Sequence, residues 1–106
     1  MTKSDIPPPA RLIALTGSVL PDIYILSDEC CVLGRSPTCH IVVRQALTSR
    51  QHAQIEQHGT HYILRDSSSA NGTFVNGELL LQSRTLQDCD LLGLGSPDAI
   101  LQFVSR

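Results

Sequence analysis

Residues 53–79 read AQIEQHGTHYILRDSSSANGTFVNGEL, and this stretch decides the fold. Ala53 and Ile55 alternate with Gln54 and Glu56, the period-two pattern of a half-buried strand. His58-Gly59 then breaks the run, and His61–Arg65 begins a second one rich in Tyr62, Ile63 and Leu64. After a polar loop at residues 66–70, Thr73–Val75 forms a third run that ends on Asn76-Gly77. Both residues of an Asn-Gly pair tolerate the positive φ that a type I′ turn requires, so Val75 and Leu79 flank a predicted β-hairpin. Asn71-Gly72 differs, because it closes a polar loop held between strands, the kind of place where binding groups sit.

The same grammar extends in both directions. Short β-rich runs recur at 12–15, 23–26, 30–34, 41–43, 84–86, 91–94 and 100–104, and turn residues separate them at Gly17-Ser18, Ser36-Pro37 and Gly95-Ser96-Pro97. No stretch carries apolar residues at helical spacing. Ten or so short strands in one chain suit an all-β, two-sheet sandwich. The prolines of Ile6-Pro7-Pro8-Pro9 cannot enter a helix or a central strand, so residues 1–10 read as an extended lead-in and 11–106 as the domain.

Composition bounds the function. The 106 residues, 42% hydrophobic and 17% charged, suffice for one core and not for two. No apolar run reaches membrane-spanning length and the N-terminus lacks a signal-peptide pattern, which points to a cytoplasmic protein that avoids membranes. The cysteines, Cys30, Cys31, Cys39 and Cys89, include no C-x-x-C pair, so neither zinc nor any other metal or cofactor is expected, and the thiols read as buried or inert. A net charge of −2 argues against a sequence-independent hold on nucleic acid. Its distribution is uneven: residues 35–65 hold Arg35, Arg44, Arg50 and Arg65 against Glu56 alone, a local balance of +3. Arginine is the side chain whose planar fork suits bidentate contact with phosphate.

Three loops concentrate the polar chemistry: Gly34-Arg35-Ser36, Thr48-Ser49-Arg50-Gln51-His52 and Ser69-Ala70-Asn71-Gly72-Thr73. In their order and spacing, GRSPTCHIVV, SRQHA and NGTFVNG closely resemble the forkhead-associated (FHA) family over about residues 11–104. The resemblance implies an eleven-strand sandwich whose loops at one end dock an extended phosphothreonine peptide. It implies that Arg35 and Ser49 hold the phosphate, that Arg50 contacts phosphate or peptide, and that Asn71 grips the peptide backbone. Gly34, His52, Gly72, Asn76 and Gly77 would shape the site, and Leu47 would line a specificity subsite. Where many family members carry Ser or Thr before the asparagine, this chain has Ala70, so one hydroxyl donor is missing. The expected partner is a phosphothreonine-containing protein or peptide, bound by a monomeric domain.

Other readings fare worse. Ser49 with His52 could form a nucleophile and base, but no nucleophile elbow is present and Asp66 is the sole candidate orienting acid. Gly93-Leu94-Gly95 lacks the third glycine and following helix of a nucleotide site. The alternative that keeps the fold is a phospho-independent scaffold, to which Ala70 and the Leu79-Leu80-Leu81 run lend weight. Since the resemblance implies a pocket for the threonine methyl, phosphoserine should bind more weakly than phosphothreonine in paired peptide titrations. Equal affinities would count against the carry-over.

Overall fold

The computed structural model describes residues 9–27 and 29–105, and residues 1–8 of the predicted lead-in at 1–10 lie outside them. The strands are β1 Arg11–Ala14, β2 Val19–Leu20, β3 Ile23–Ile25, β4 Cys30–Gly34, β5 Ile41–Val43, β6 Ala53–His58, β7 His61–Asp66, β8 Thr73–Val75, β9 Glu78–Leu79, β10 Arg84–Thr85, β11 Leu91–Leu94 and β12 Leu101–Val104. They form two six-stranded sheets, ordered β3-β1-β12-β11-β8-β9 and β10-β7-β6-β4-β5-β2. No helix occurs among the described residues, and none is long and apolar enough to cross a membrane.

Alternation builds the sandwich. In β4, Cys31 and Leu33 point inward; in β6, Ala53 and Ile55 do; in β7, Tyr62 and Leu64 do. They meet Leu12, Val75, Leu92, Leu94, Leu101 and Phe103 from the other sheet in one buried cluster. The Tyr62 and Phe103 rings, 5.5 Å apart and tilted, are part of it.

Two strands lie outside the runs read from the sequence, β2 and β9, the second being the returning arm of the predicted hairpin. Each spans two residues, too few to show a period, and each exists through its partner: Val19↔Val43 for β2, Val75↔Glu78 for β9. The hairpin before β9 is the predicted one, with Asn76 at φ 52° and Gly77 at φ 82°. Among the described residues there are twelve strands, where the sequence reads ten or so and the resemblance implies eleven. Ala10 is buried, its carbonyl accepting from the Leu26 N–H at 2.8 Å. Cys31 and Cys39 are buried as expected, Cys30 is half-buried, and Cys89 is exposed.

One pairing sets the position of the loops. β4 and β5 run parallel, joined over Leu33↔Ile41 and Gly34↔Val42. The pairing is so short that the chain returns through residues 35–40 without a long crossover. Both strands therefore end at the same tip of the sandwich. The antiparallel pairings of β6 with β4 and of β7 with β6 bring the starts of β6 and β8 to that same tip. The connections 35–40, 44–52 and 67–72 consequently converge there.

Candidate functional site

His52 joins the converging loops from beneath. Its side chain lies at the inward start of β6 and has no exposed surface, 0%. Its Nδ1 accepts a hydrogen bond from the Ser49 N–H at 2.9 Å. A backbone N–H can only donate, so Nδ1 carries no proton and Nε2–H donates to the Gly72 carbonyl at 2.7 Å. The Ser49 loop and the Asn71-Gly72 loop are thus fastened to opposite edges of one ring. The same geometry removes the hydrolase reading: His52 meets the Ser49 backbone rather than its hydroxyl, and both ring nitrogens are already engaged.

Gly34 makes the other close approach. A Cβ there would lie 2.2 Å from the Arg50 carbonyl oxygen, so glycine serves contact rather than an unusual dihedral. The Arg50 carbonyl accepts from the Ser36 N–H at 3.0 Å and from the Cys39 thiol at 3.2 Å, while the Arg35 N–H donates to the Ser49 carbonyl at 2.9 Å. Residues 34–36 and 49–52 therefore continue the pairing of β4 with β6 past the sheet's end.

Each polar side chain at the tip is part-engaged, with capacity left over. Arg35 donates from Nε to the Thr48 carbonyl at 3.0 Å, which fixes the guanidinium plane and leaves the terminal nitrogens for a ligand. Ser49 Oγ accepts from the Ala70 N–H at 3.1 Å, and its own proton remains to be donated. Asn71 donates from Nδ2 to the Leu47 carbonyl at 2.9 Å, leaving Oδ1 and a second amide hydrogen. Arg50 is exposed. The ion pairs of Glu56 with His58 and Arg65 involve neither Arg35 nor Arg50. Leu47, 54% exposed, stands beside them.

The tip has supports that the sequence reading passed over. Asp66 organises the 67–72 loop: its carboxylate accepts from the Ser69 hydroxyl, from Thr73 Oγ1 at 2.7 Å and from the Ser69 N–H at 3.0 Å. Ser69 Oγ in turn accepts from the Gly72 N–H at 3.0 Å. Burial raises the Asp66 pKa, but these hydrogen bonds outweigh it and hold the carboxyl below the ordinary aspartate value. From the other sheet, Gly95 at φ 91° donates its N–H to the Gly72 carbonyl at 2.8 Å, and a Cβ on it would lie 2.3 Å from the Leu47 carbonyl oxygen. Buried Thr48 donates Oγ1 to the Leu94 carbonyl at 2.9 Å. The turn signal at Gly95-Ser96-Pro97 was visible in sequence; its contact with residue 47 was not.

Asn76 and Gly77 sit at the opposite end of β8 from Asn71. Asn76 clamps the far end of the sheet, donating to Asp90 Oδ1 at 3.0 Å and accepting from the Leu91 N–H at 2.9 Å. Their link to the tip runs through β9, whose Leu79 side chain fills the space that a Cβ on Gly72, at φ 87°, would enter at 2.6 Å.

A family model described as FHA domain matches residues 31–95, which contain every tip residue described above. Over 96 residues the chain is 35% identical to a probable serine/threonine-protein kinase, fhkA, of Dictyostelium discoideum, covering 79% of this chain and 16% of the kinase. A solved structure of Mycobacterium tuberculosis EmbR in complex with a low affinity phosphopeptide superposes with a TM-score of 0.84 at 28% identity, over 99% of this chain and 26% of that one. Another, from work on phosphothreonine-dependent FHA domain interactions, gives 0.81 at 26% identity, over 92% and 97%.

Two outcomes follow from this geometry. Gly34→Ala should destabilise the fold by about 1–3 kcal/mol in urea unfolding and displace the Arg50 backbone, because the overlap cannot be relieved by a side-chain rotation; unchanged stability would contradict the contact. The Asp66 pKa is lower folded than unfolded, so its contribution to stability is complete above roughly pH 4 and is lost as pH falls through the folded value. Urea midpoints measured from pH 7 to 3 should fall more steeply below about pH 4 for wild type than for Asp66→Asn. Parallel curves would contradict the assignment.

Proposed function

Because the chain belongs to the FHA domain family, we propose that it is a non-catalytic module that binds phosphothreonine peptides and so makes a protein–protein contact conditional on a kinase. The observation that carries this reading is the convergence of Arg35, Ser49 and Asn71 on one tip, each with unspent hydrogen-bonding capacity. A phosphothreonine side chain brings nearly two negative charges and three acceptor oxygens. The unpaired guanidinium of Arg35 and the Ser49 hydroxyl complement it, and Arg50 adds positive charge that no neighbouring carboxylate neutralises. Asn71 offers a carbonyl and an N–H together, the pair that an extended peptide backbone requires. Ala70 contributes its backbone N–H to orient Ser49, so the missing hydroxyl leaves the phosphate to Arg35, Ser49 and Arg50. Leu47 borders this cradle as an apolar neighbour for a side chain flanking the phosphothreonine.

Ligands written by serine/threonine kinases suit a cytoplasmic module that acts as a monomer as an isolated domain. The chain spans 16% of the kinase it matches, so an effector activity belongs to other segments of such proteins.

The decisive experiment titrates a degenerate phosphothreonine peptide library and its dephosphorylated copy against wild type and Arg35→Ala. A charge-assisted hydrogen bond contributes about 1.5–3 kcal/mol, so the variant should lose roughly tenfold to more than a hundredfold in affinity. Removing the phosphate should abolish binding by wild type. Binding indifferent to both changes would instead identify a phospho-independent scaffold.

A further inference from the structure

The two sheets end in β3, β9, β10 and β2, and these edges are not alike. β9 carries Glu78, β10 carries Arg84, and β2 has two residues before Pro21 stops it. Charged side chains, prolines and bulges are what keep an open edge from pairing with another chain. β3 has none of them within it. Its residues Ile23-Tyr24-Ile25 are uncharged, and Ile23 and Ile25 stand 58% and 47% exposed. Tyr24 points to the other face, where its ring meets His40 edge-on at 6.1 Å and packs against the core, so the strand is fastened in place. Only half of its backbone is used. The Leu26 N–H donates to the Ala10 carbonyl at 2.8 Å and the Ala14 N–H to the Asp22 carbonyl at 2.7 Å. Such bonds fall on every second residue of an antiparallel ladder, so Asp22, Tyr24 and Leu26 face β1, and Ile23 and Ile25 turn their N–H and C=O groups outward. Among the described residues neither of these outward N–H groups has an acceptor, and the Ile25 carbonyl takes a tight-turn bond from the Ser27 N–H at 3.0 Å.

What fits this edge is a copy of itself. With a two-fold axis at Tyr24, Ile23 lies opposite Ile25 of the second copy, and Ile25 opposite its Ile23. Both are hydrogen-bonding pairs, so every outward N–H and C=O of Ile23 and Ile25 finds a partner. The side chains agree. Ile13 is the cross-strand neighbour of Ile23, so each row on the outer face runs Ile13, Ile23, then Ile25 of the second copy, and β-branched side chains pack well across a ladder. Charge agrees as well, since Asp22 falls opposite Leu26 and no like charges are opposed. A longer extended segment of another kind would meet Pro21, which has no N–H, at one end and Ser27, whose N–H is already bonded, at the other. The usable edge is therefore short and symmetric about its middle residue. Pairing over it buries well under the roughly 1,200 Å² at the low end of stable complexes. The isolated domain thus stays monomeric in dilute solution and pairs where copies are held close together.

We propose that β3 is a self-pairing edge, through which two copies of this chain join by an antiparallel β3–β3 contact centred on Tyr24. The six-stranded sheet of each copy continues into that of the other. Paired strands run in opposite directions, so the two tips point away from each other. No residue of the cradle takes part, and both cradles stay open. The pairing is independent of the phosphopeptide reading; its consequence, a unit that holds two phosphorylated ligands at opposite ends, rests on that reading.

Disulfide capture under mild oxidation tests the contact, in the full chain with Cys89→Ser to remove the exposed native thiol. Tyr24→Cys should give a covalent dimer, because residue 24 faces its own copy at about 4.5 Å between Cα atoms. Ile23→Cys and Ile25→Cys, both at exposed positions, should each fail alone and crosslink when mixed, since identical residues lie more than about 8 Å apart, beyond the reach of a disulfide. Adding Ile23→Lys to Tyr24→Cys should lower the yield about tenfold or more, because a charge on the edge opposes pairing. The Tyr24→Cys dimer should bind two phosphothreonine peptides, each with the affinity of the monomer. A mixture that crosslinks no better than its components, or a yield indifferent to Ile23→Lys, overturns the pairing and leaves the phosphopeptide reading standing. A dimer that forms as described while neither it nor the monomer binds phosphopeptide upholds the pairing and removes that reading.

Discussion

The imidazole of His52 is the point on which the tip depends. It is buried where β6 begins, and it spends one nitrogen on the Ser49 N–H and the other on the Gly72 carbonyl. Besides it, the two loops are joined by the Ser67 N–H donating to the His52 carbonyl at 2.9 Å and by exposed contacts such as Ala70 with Ser49 and Asn71 with Leu47. Hydrogen bonds between exposed groups compete with water, whereas a buried donor or acceptor left unpaired costs about 1–3 kcal/mol. Any displacement of one loop from the other strands a buried polar atom. The arrangement of Arg35, Ser49 and Asn71 is therefore set by the core and not by a ligand.

Preorganisation of this kind bears on how a small module can bind a short peptide at all. Ordering loops on binding opposes association, and a cradle built in advance avoids that opposition. Each feature of the tip contributes to it: Arg35 restrained at Nε, Ser49 oriented by the Ala70 N–H, Asp66 fastening the loop through Ser69 and Thr73, and Gly95 seated against Leu47 from the second sheet. The short parallel pairing of β4 and β5 is the topological condition for all of them, because it sends successive loops to one end.

Much of this could be read from residue order. β4, β5, β8 and β11 were predicted with the bounds observed, since each is a short run of β-rich residues, with Asn-Gly turns on both sides of β8 and Gly95-Ser96-Pro97 after β11. The hairpin at Asn76-Gly77 followed from the positive φ that both residues accept. What was not legible depends on contacts between distant residues. β2 and β9 are strands by virtue of their partners. The parallel pairing has no local signature. That Gly34 touches the Arg50 carbonyl and Gly95 touches the Leu47 carbonyl is a fact of folding, and Gly95 looked in sequence like a fragment of a failed nucleotide motif. The resemblance brought Arg35, Ser49 and Asn71 together on paper; only the fold accounts for Thr48, Asp66 and Ser69 behind them.

The central claim is that the cradle exists before its ligand arrives, held by one ring. A long-range proton–nitrogen spectrum of the His52 imidazole, recorded with and without a phosphothreonine peptide, tests it most directly. The account predicts a single neutral tautomer protonated at Nε2 in both states, with shifts on binding confined to the loop amides around Arg35, Ser49 and Ala70. A ring protonated at Nδ1, or one that exchanges tautomers or breaks its bond to Gly72 when the peptide binds, would contradict it.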